Sequence, residues 1–259
     1  MAVRKYAARL LDGRHTLGQA QELAHAAGML SVVLAWLAHD LGEPQTALAY
    51  CADARAHGTA AGMGDVCAWA DDAAATTCLY ADQPQRAADY AFRGLTAATS
   101  TAARVRLAAQ TARAQARSGN ADAFVSARRL AHEAAAGLPP HASGLFSADQ
   151  VRLLSFDATS YLALGQPRPA RAAAEDAVTE YDSAAYRSPT RAAIAHLDLA
   201  DAHAALGGLD VALTHGSIAL RVQRHADAIN TRAHHLANTL ILKDSRSPAV
   251  QSFVQKLAH

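Results

Sequence analysis

Nowhere in this sequence do apolar and polar residues alternate for long enough to mark a useful β-strand. Nor does any block of like charge stand out: 24 Lys and Arg face 23 Asp and Glu, for a formal net charge of +1. A chain that grips nucleic acid by itself usually carries a basic face, so direct DNA binding by this chain alone is not expected. Aromatic residues make up only 5%, which suits close helix-on-helix packing between small side chains. The three cysteines, Cys51, Cys67 and Cys78, are odd in number and form no CxxC. They read as reduced, small apolar residues of a cytoplasmic protein. The start of the chain lacks an apolar signal core. Its apolar run at residues 29–38 falls far below the ~20 residues needed to span a bilayer, so a buried helix and no membrane role are expected. GxSxG, GxGxxG and HExxH do not occur. The glycine-rich stretch 57–64, HGTAAGMG, follows no strand and precedes no GKS or GKT, so it reads as a loop and not as a phosphate cradle.

What the chain does have is a recurring turn. Gly42-Glu43-Pro44, Asp82-Gln83-Pro84, Gly119-Asn120, Gly165-Gln166-Pro167 and Gly207-Gly208 each separate two stretches with small and apolar residues three and four apart. Glycine just past a helix permits the left-handed backbone that closes it. Proline at the start of the next helix loses nothing by its missing N–H. With residues 42, 82, 119, 165 and 207 as anchors, the position seven before is alanine every time: Ala35, Ala75, Ala112, Ala158 and Ala200. Twelve after stand Ala54, Gly94, Ala131, Ala177 and Ala219. Five after stand Ala47, Ala87, Phe124, Ala170 and Ala212. Three small-residue columns in phase mark a structural repeat, because small residues let two helices approach closely. Phe124 breaks its column and marks the third unit as the most divergent.

These columns resemble the tetratricopeptide repeat, whose helix pairs stack into a superhelix. The anchors lie 40, 37, 46 and 42 residues apart, against a usual period of about 34, so longer helices are expected. The expected fold is all-α, one array over residues 1–259. An N-terminal pair at 3–27 is followed by repeats at about 30–57, 65–99, 102–136, 148–181 and 190–224, and by capping helices at 227–257. Helices are expected at 3–12 and 16–27 in the first pair, at 30–41 and 45–57 in the next, and at 190–206 and 209–224 in the last repeat. The longest connection, 137–147 (GLPPHASGLFS), contains a double proline that cannot continue a helix. It reads as a surface insertion or, more sharply, as a lid over a binding groove.

A narrower likeness lies in LLDGRHTLGQAQELAHAAG, LAWLAHDLGEPQTA, TAARVRLAAQTARAQARSG, LPPHASGLFSADQ and SRSPAVQSFVQKL. From about residue 10 onward the chain resembles the ligand-side region of actinobacterial XRE-type helix-turn-helix regulators. The resemblance implies a sensor role in transcriptional regulation. In that family a DNA-binding domain precedes the repeats, and the fourteen residues before His15 are too few to hold one.

A tetratricopeptide-like array turns the first helix of each pair toward a concave surface. Positions thirteen, ten, six, three and two before each anchor then face the groove. The candidate ligand residues so placed are Trp36, His39 and Asp40; Trp69, Asp72, Thr76 and Tyr80; Arg106, Arg113 and Arg117; and Arg152 and Thr159. Aromatic walls with arginine forks suit an anionic or peptide ligand, and Arg113 is expected in mid-stripe, free to serve it. A peptide, small metabolite or protein is the expected partner, and a homodimer is compatible with the pattern. No cofactor and no metal are expected. His196 and His203 lie on one face at positions that normally carry large packing residues, so they read as buried and hydrogen-bonded. His234 and His235 point to different faces. Asp71 and Asp72 likewise diverge, and Asp157 stands where the repeat usually has a core leucine. A sensor or interaction module is the expected function. A stand-alone scaffold and an enzyme that has recruited the groove are the alternatives.

Overall fold

Left-handed backbone closes all five aligned turns. In the computed structural model φ is 73° at Gly42, 53° at Asp82, 76° at Gly119, 66° at Gly165 and 89° at Gly207. The next residue's N–H then reaches back to the carbonyl five before it: Glu43 to Ala38, Gln83 to Cys78, Asn120 to Gln115, Gln166 to Tyr161 and Gly208 to His203, at 2.8–2.9 Å. This is the Schellman closure of a helix C-terminus. A sixth turn of the same kind, at Gly62 with Met63 bonded to Gly58, corrects the expectation of a loop at 57–64. Residues 57–60 finish one helix and Gly64 begins the next. Gly64 serves close approach: a Cβ there would stand 2.2 Å from the carbonyl oxygen of Ala97.

The structure describes residues 6, 9, 10, 13–139, 142, 144–183, 188–222 and 226–257. Most of the helix expected at 3–12, and the end of the one expected at 209–224, lie outside the described residues. From Leu17 onward the described helices are α1 (Leu17–Asp40), α2 (Pro44–Ala60), α3 (Gly64–Tyr80), α4 (Pro84–Ala97), α5 (Thr101–Arg117), α6 (Ala121–Ala135), α7 (Gln150–Ala163), α8 (Pro167–Asp182), α9 (Pro189–Ala205), α10 (Leu209–Ala219), α11 (Asp227–Asp244) and α12 (Pro248–Leu257). No strand occurs among the described residues. The molecule is an all-α helical repeat array built from consecutive helix pairs.

One helix differs from expectation. The break between residues 27 and 30 is absent, and α1 runs unbroken for 24 residues. Thr16 and Gln19 start it with a capping box, each satisfying the other's free backbone N–H. Gly28 keeps helical backbone. It is small because Val66 would lie 2.6 Å from its Cβ and the Ala54 carbonyl 3.3 Å away. Although α1 is long and apolar enough to cross a membrane by length and composition, its buried face, from Ala24 to His39, packs on α2 and α3.

By packing, the chain divides into two compact units, 1–138 with 142–148, and 139–141 with 149–259. In the first unit, α1 to α6 pack each on the next, and α1, α3 and α5 also pack on one another in order. In the second, α7, α9 and α11 do the same, with α8 and α10 behind them and α12 against α10 and α11. The odd-numbered helices therefore form an inner layer in each unit. The alanines seven before each anchor sit in that layer, all at most 4% exposed. Those twelve and five after sit on the even helices and are also buried, including Gly94 and Phe124. Asp65, in the first turn of α3, accepts from the N–H groups of Thr99 and Ser100 at 2.7 and 3.0 Å. Partial burial opposes its charge, but these bonds prevail and hold its carboxyl below the usual range.

Candidate functional site

Ten of the twelve candidate residues lie in the first unit, on α1, α3 and α5. The other two, Arg152 and Thr159, lie on α7 of the second unit. Because the odd helices pack directly on one another, the register positions nearest their contact lie between helices. Asp72 is fully buried, Arg106 is 3% exposed and Gln110 is fully buried. The guanidinium of Arg106 donates to Asp72 Oδ2, and Gln110 Nε2 donates to Asp72 Oδ1 at 3.0 Å and to Thr76 Oγ1 at 2.6 Å. Arg113 is 6% exposed and donates to Gln110 Oε1 at 2.9 Å. Its place in a buried network explains why it is not the free, mid-groove cation expected from the sequence. Arg117, at the helix end, is exposed and pairs with Asp82 at 2.8 Å.

Around this ionic centre the aromatics gather. The Arg106 guanidinium carbon lies 5.3 Å from the ring centroid of Trp36 and 5.1 Å from that of Trp69, within the range of cation–π attraction. His39 meets Trp36 edge-on at 5.8 Å and Tyr80 at 5.0 Å. The indole N–H of Trp36 is buried and has no hydrogen-bond partner among the described residues. Such a donor costs ~1–3 kcal/mol, and Trp36 stands at one of the register positions that the sequence assigns to a ligand. Asp40 is half-buried beside His39.

Sequence reasoning missed two participants. Gln110 lies one position off the expected register. Phe146 stacks edge-on against Trp69 at 5.5 Å, and the carbonyl of its neighbour Leu145 accepts from Arg106 at 2.6 Å. Both come from the 137–147 connection, where an aromatic between turn residues was the available signal.

Asp71, next to Asp72, faces the other way as its helical position requires. It is 1% exposed and takes Arg55 and Arg93, each at 2.5 Å. In the second unit, buried Asp198 accepts from Arg232 and, at 3.3 Å, from the hydroxyl of Thr159. Asp149 caps α7 through the Arg152 N–H at 2.7 Å and pairs with Arg191 at 3.4 Å. Asp157 is 5% exposed. His235 meets Asp201 at 3.4 Å. Among the described residues no group of three or more His, Cys, Asp or Glu is placed to hold a metal ion.

His196 is 4% exposed, as expected of a packing residue. A contact not foreseen joins its Nδ1 to Nδ1 of His215 on α10 at 2.9 Å, and the two rings stack. Burial lowers the pKa of both from 6.5, and for His215 the neighbouring His196 and His203 lower it further; the Asp182 carboxylate opposes this for both, and Glu175 opposes it for His215. The folded state therefore binds these protons less readily than the unfolded state. Stability from the pair is complete above about pH 6.5 and is lost as pH falls through the lowered values. Thermal melts at pH 7.5 and 5.5 should show a larger acid loss for the parent than for His215→Phe. Equal losses would remove the pair as the cause.

No family model matches the sequence, and no curated protein matches it significantly.

Proposed function

We propose that this chain is a regulatory binding module whose ligand docks on the inner helix layer of the first unit. One observation carries the reading: the rings of both tryptophans lie against the Arg106 guanidinium, and the buried indole N–H of Trp36 has no hydrogen-bond partner among the described residues. Flat apolar surface beside a few fixed donors is the composition of binding pockets. Catalysis is not proposed, because Arg106 and Gln110 already occupy both oxygens of Asp72. The occupant is a peptide, a small metabolite or the surface of a protein. The finer reading is a tetratricopeptide-like sensor region akin to that of XRE-type regulators, and it rests on the sequence resemblance. DNA contact would then come from another region or another protein, since this near-neutral chain is not expected to bind duplex alone. Three free, buried cysteines, with the Cys51 thiol pushed up to about 12 chiefly by burial, are inert thiols that suit a cytoplasmic location.

Native mass spectrometry of the purified chain tests the proposal. A mass excess that is lost on denaturation and releases a peptide or metabolite is the expected result. A bare chain that also gives no tryptophan response across short peptides and carboxylated metabolites would count against it.

A further inference from the structure

The residues at 142 and 144–148 belong to the first unit by packing, and two groups of this short strap occupy the candidate site. Leu145 supplies a main-chain carbonyl to Arg106, and Phe146 supplies a ring to Trp69. Phe146 packs on the core cluster that holds Val32, Trp69 and Leu107, but other features set the strap apart from the helices. It lies in the longest connection, whereas each of the six described helix pairs closes through a three-residue turn. Gly144 holds φ at 102°, a value that favours glycine, and the Ser147 hydroxyl donates to the Gly144 carbonyl at 2.8 Å, so part of the strap's shape comes from itself. Phe146 is only half-buried, while Phe124 and Phe253 are 1% exposed.

We propose that Leu145–Phe146 is a built-in surrogate ligand, a lid displaced by a partner peptide that presents the same pair: a main-chain carbonyl followed by an aromatic ring. This deepens the binding-module reading and rests on it. The chemistry of the occupied subsite selects that partner. Arg106 is already neutralised by buried Asp72, so a carboxylate seated in place of the Leu145 carbonyl would bring a second negative charge beside Asp72. A neutral carbonyl avoids this and still accepts the guanidinium N–H. Displacement also requires the incoming peptide to gain something the lid lacks, because a ligand shifts an equilibrium only by its differential affinity. Trp36, whose ring lies against the same guanidinium and whose indole N–H has no hydrogen-bond partner among the described residues, provides that difference: a further peptide carbonyl bonded to that N–H is a contact that the lid does not make.

The probe is the strap's own sequence, the synthetic peptide acetyl-GLFSA-amide, added to the full chain and read by tryptophan emission. In the parent the tethered lid competes at an effective concentration on the order of millimolar. Phe146→Ala should therefore bind the peptide saturably and at least tenfold more tightly than the parent does. The same peptide with alanine for its phenylalanine should not bind. A folded Phe146→Ala chain that ignores the peptide would overturn the proposal, as would equal binding by both chains. A Phe146→Ala chain that fails to fold also overturns it, since a displaceable lid is dispensable to the core. In the unmodified chain, hydrogen exchange across 144–148 should precede that of α3 and α5, and exchange only on global unfolding would contradict the lid. If a ligand recovered by native mass spectrometry changes the emission while the strap peptide does not, the site stands and the lid falls. If neither does, the site itself is removed.

Discussion

Asp72→Ala is expected to destabilise the first unit by ~3–5 kcal/mol, the penalty for removing one partner of a buried ion pair. Arg106 is 3% exposed and reaches Asp72 from the next inner helix. Without the carboxylate, a guanidinium stays buried between helices with two indoles near it, and neither ring can accept its full charge. Gln110 loses an acceptor at the same time. For a domain of this size each kcal/mol moves Tm by about 2–4 °C, so a fall of roughly 6–20 °C should be seen. Replacing both residues, Asp72→Leu with Arg106→Met, should recover most of the loss, because apolar substitutes for a whole buried pair are often neutral or stabilising. If Asp72→Ala melts with the parent, the pair is not closed in the folded chain.

Ala200→Leu is expected to cost the second unit ~1–3 kcal/mol through overpacking. Ala200 has no exposed surface and packs in the core shared by α9 to α12, near Leu197, Ala204 and Ala212. Leucine adds atoms where none fit, so α9 must move away from its neighbours. Ala205→Leu, at an exposed position on the same helix, is the control and should leave the melt nearly unchanged. Matching melts for both variants would mean that the alanine column does not mark a close helix contact.

The turns were legible because their chemistry is local. Glycine or aspartate in left-handed backbone and proline at a helix start act within a few residues, and each anchor assigned from sequence has the backbone it needs. The alanine columns were legible for a related reason: phase is counted from those turns. The continuity of α1 was not, because Gly28 is required by Val66, which approaches from α3; a glycine kept for close approach looks the same in sequence as one that ends a helix. Register placed Asp72 and Arg106 on the inner layer, but their partnership spans 34 residues and depends on how two helices slide past each other. Phe146 escaped notice because loop residues have no helical register. His215 did too, since it meets His196 only after α10 folds back on α9.

Both tryptophans of the chain lie beside Arg106, so tryptophan emission reports directly on the candidate site. A ligand released from the purified chain, or selected from short peptides, should be titrated back while emission is followed. The account predicts a saturable change at the stoichiometry found by mass spectrometry, diminished in Trp69→Phe. A ligand that binds at full stoichiometry and leaves the emission of both tryptophans untouched would contradict it.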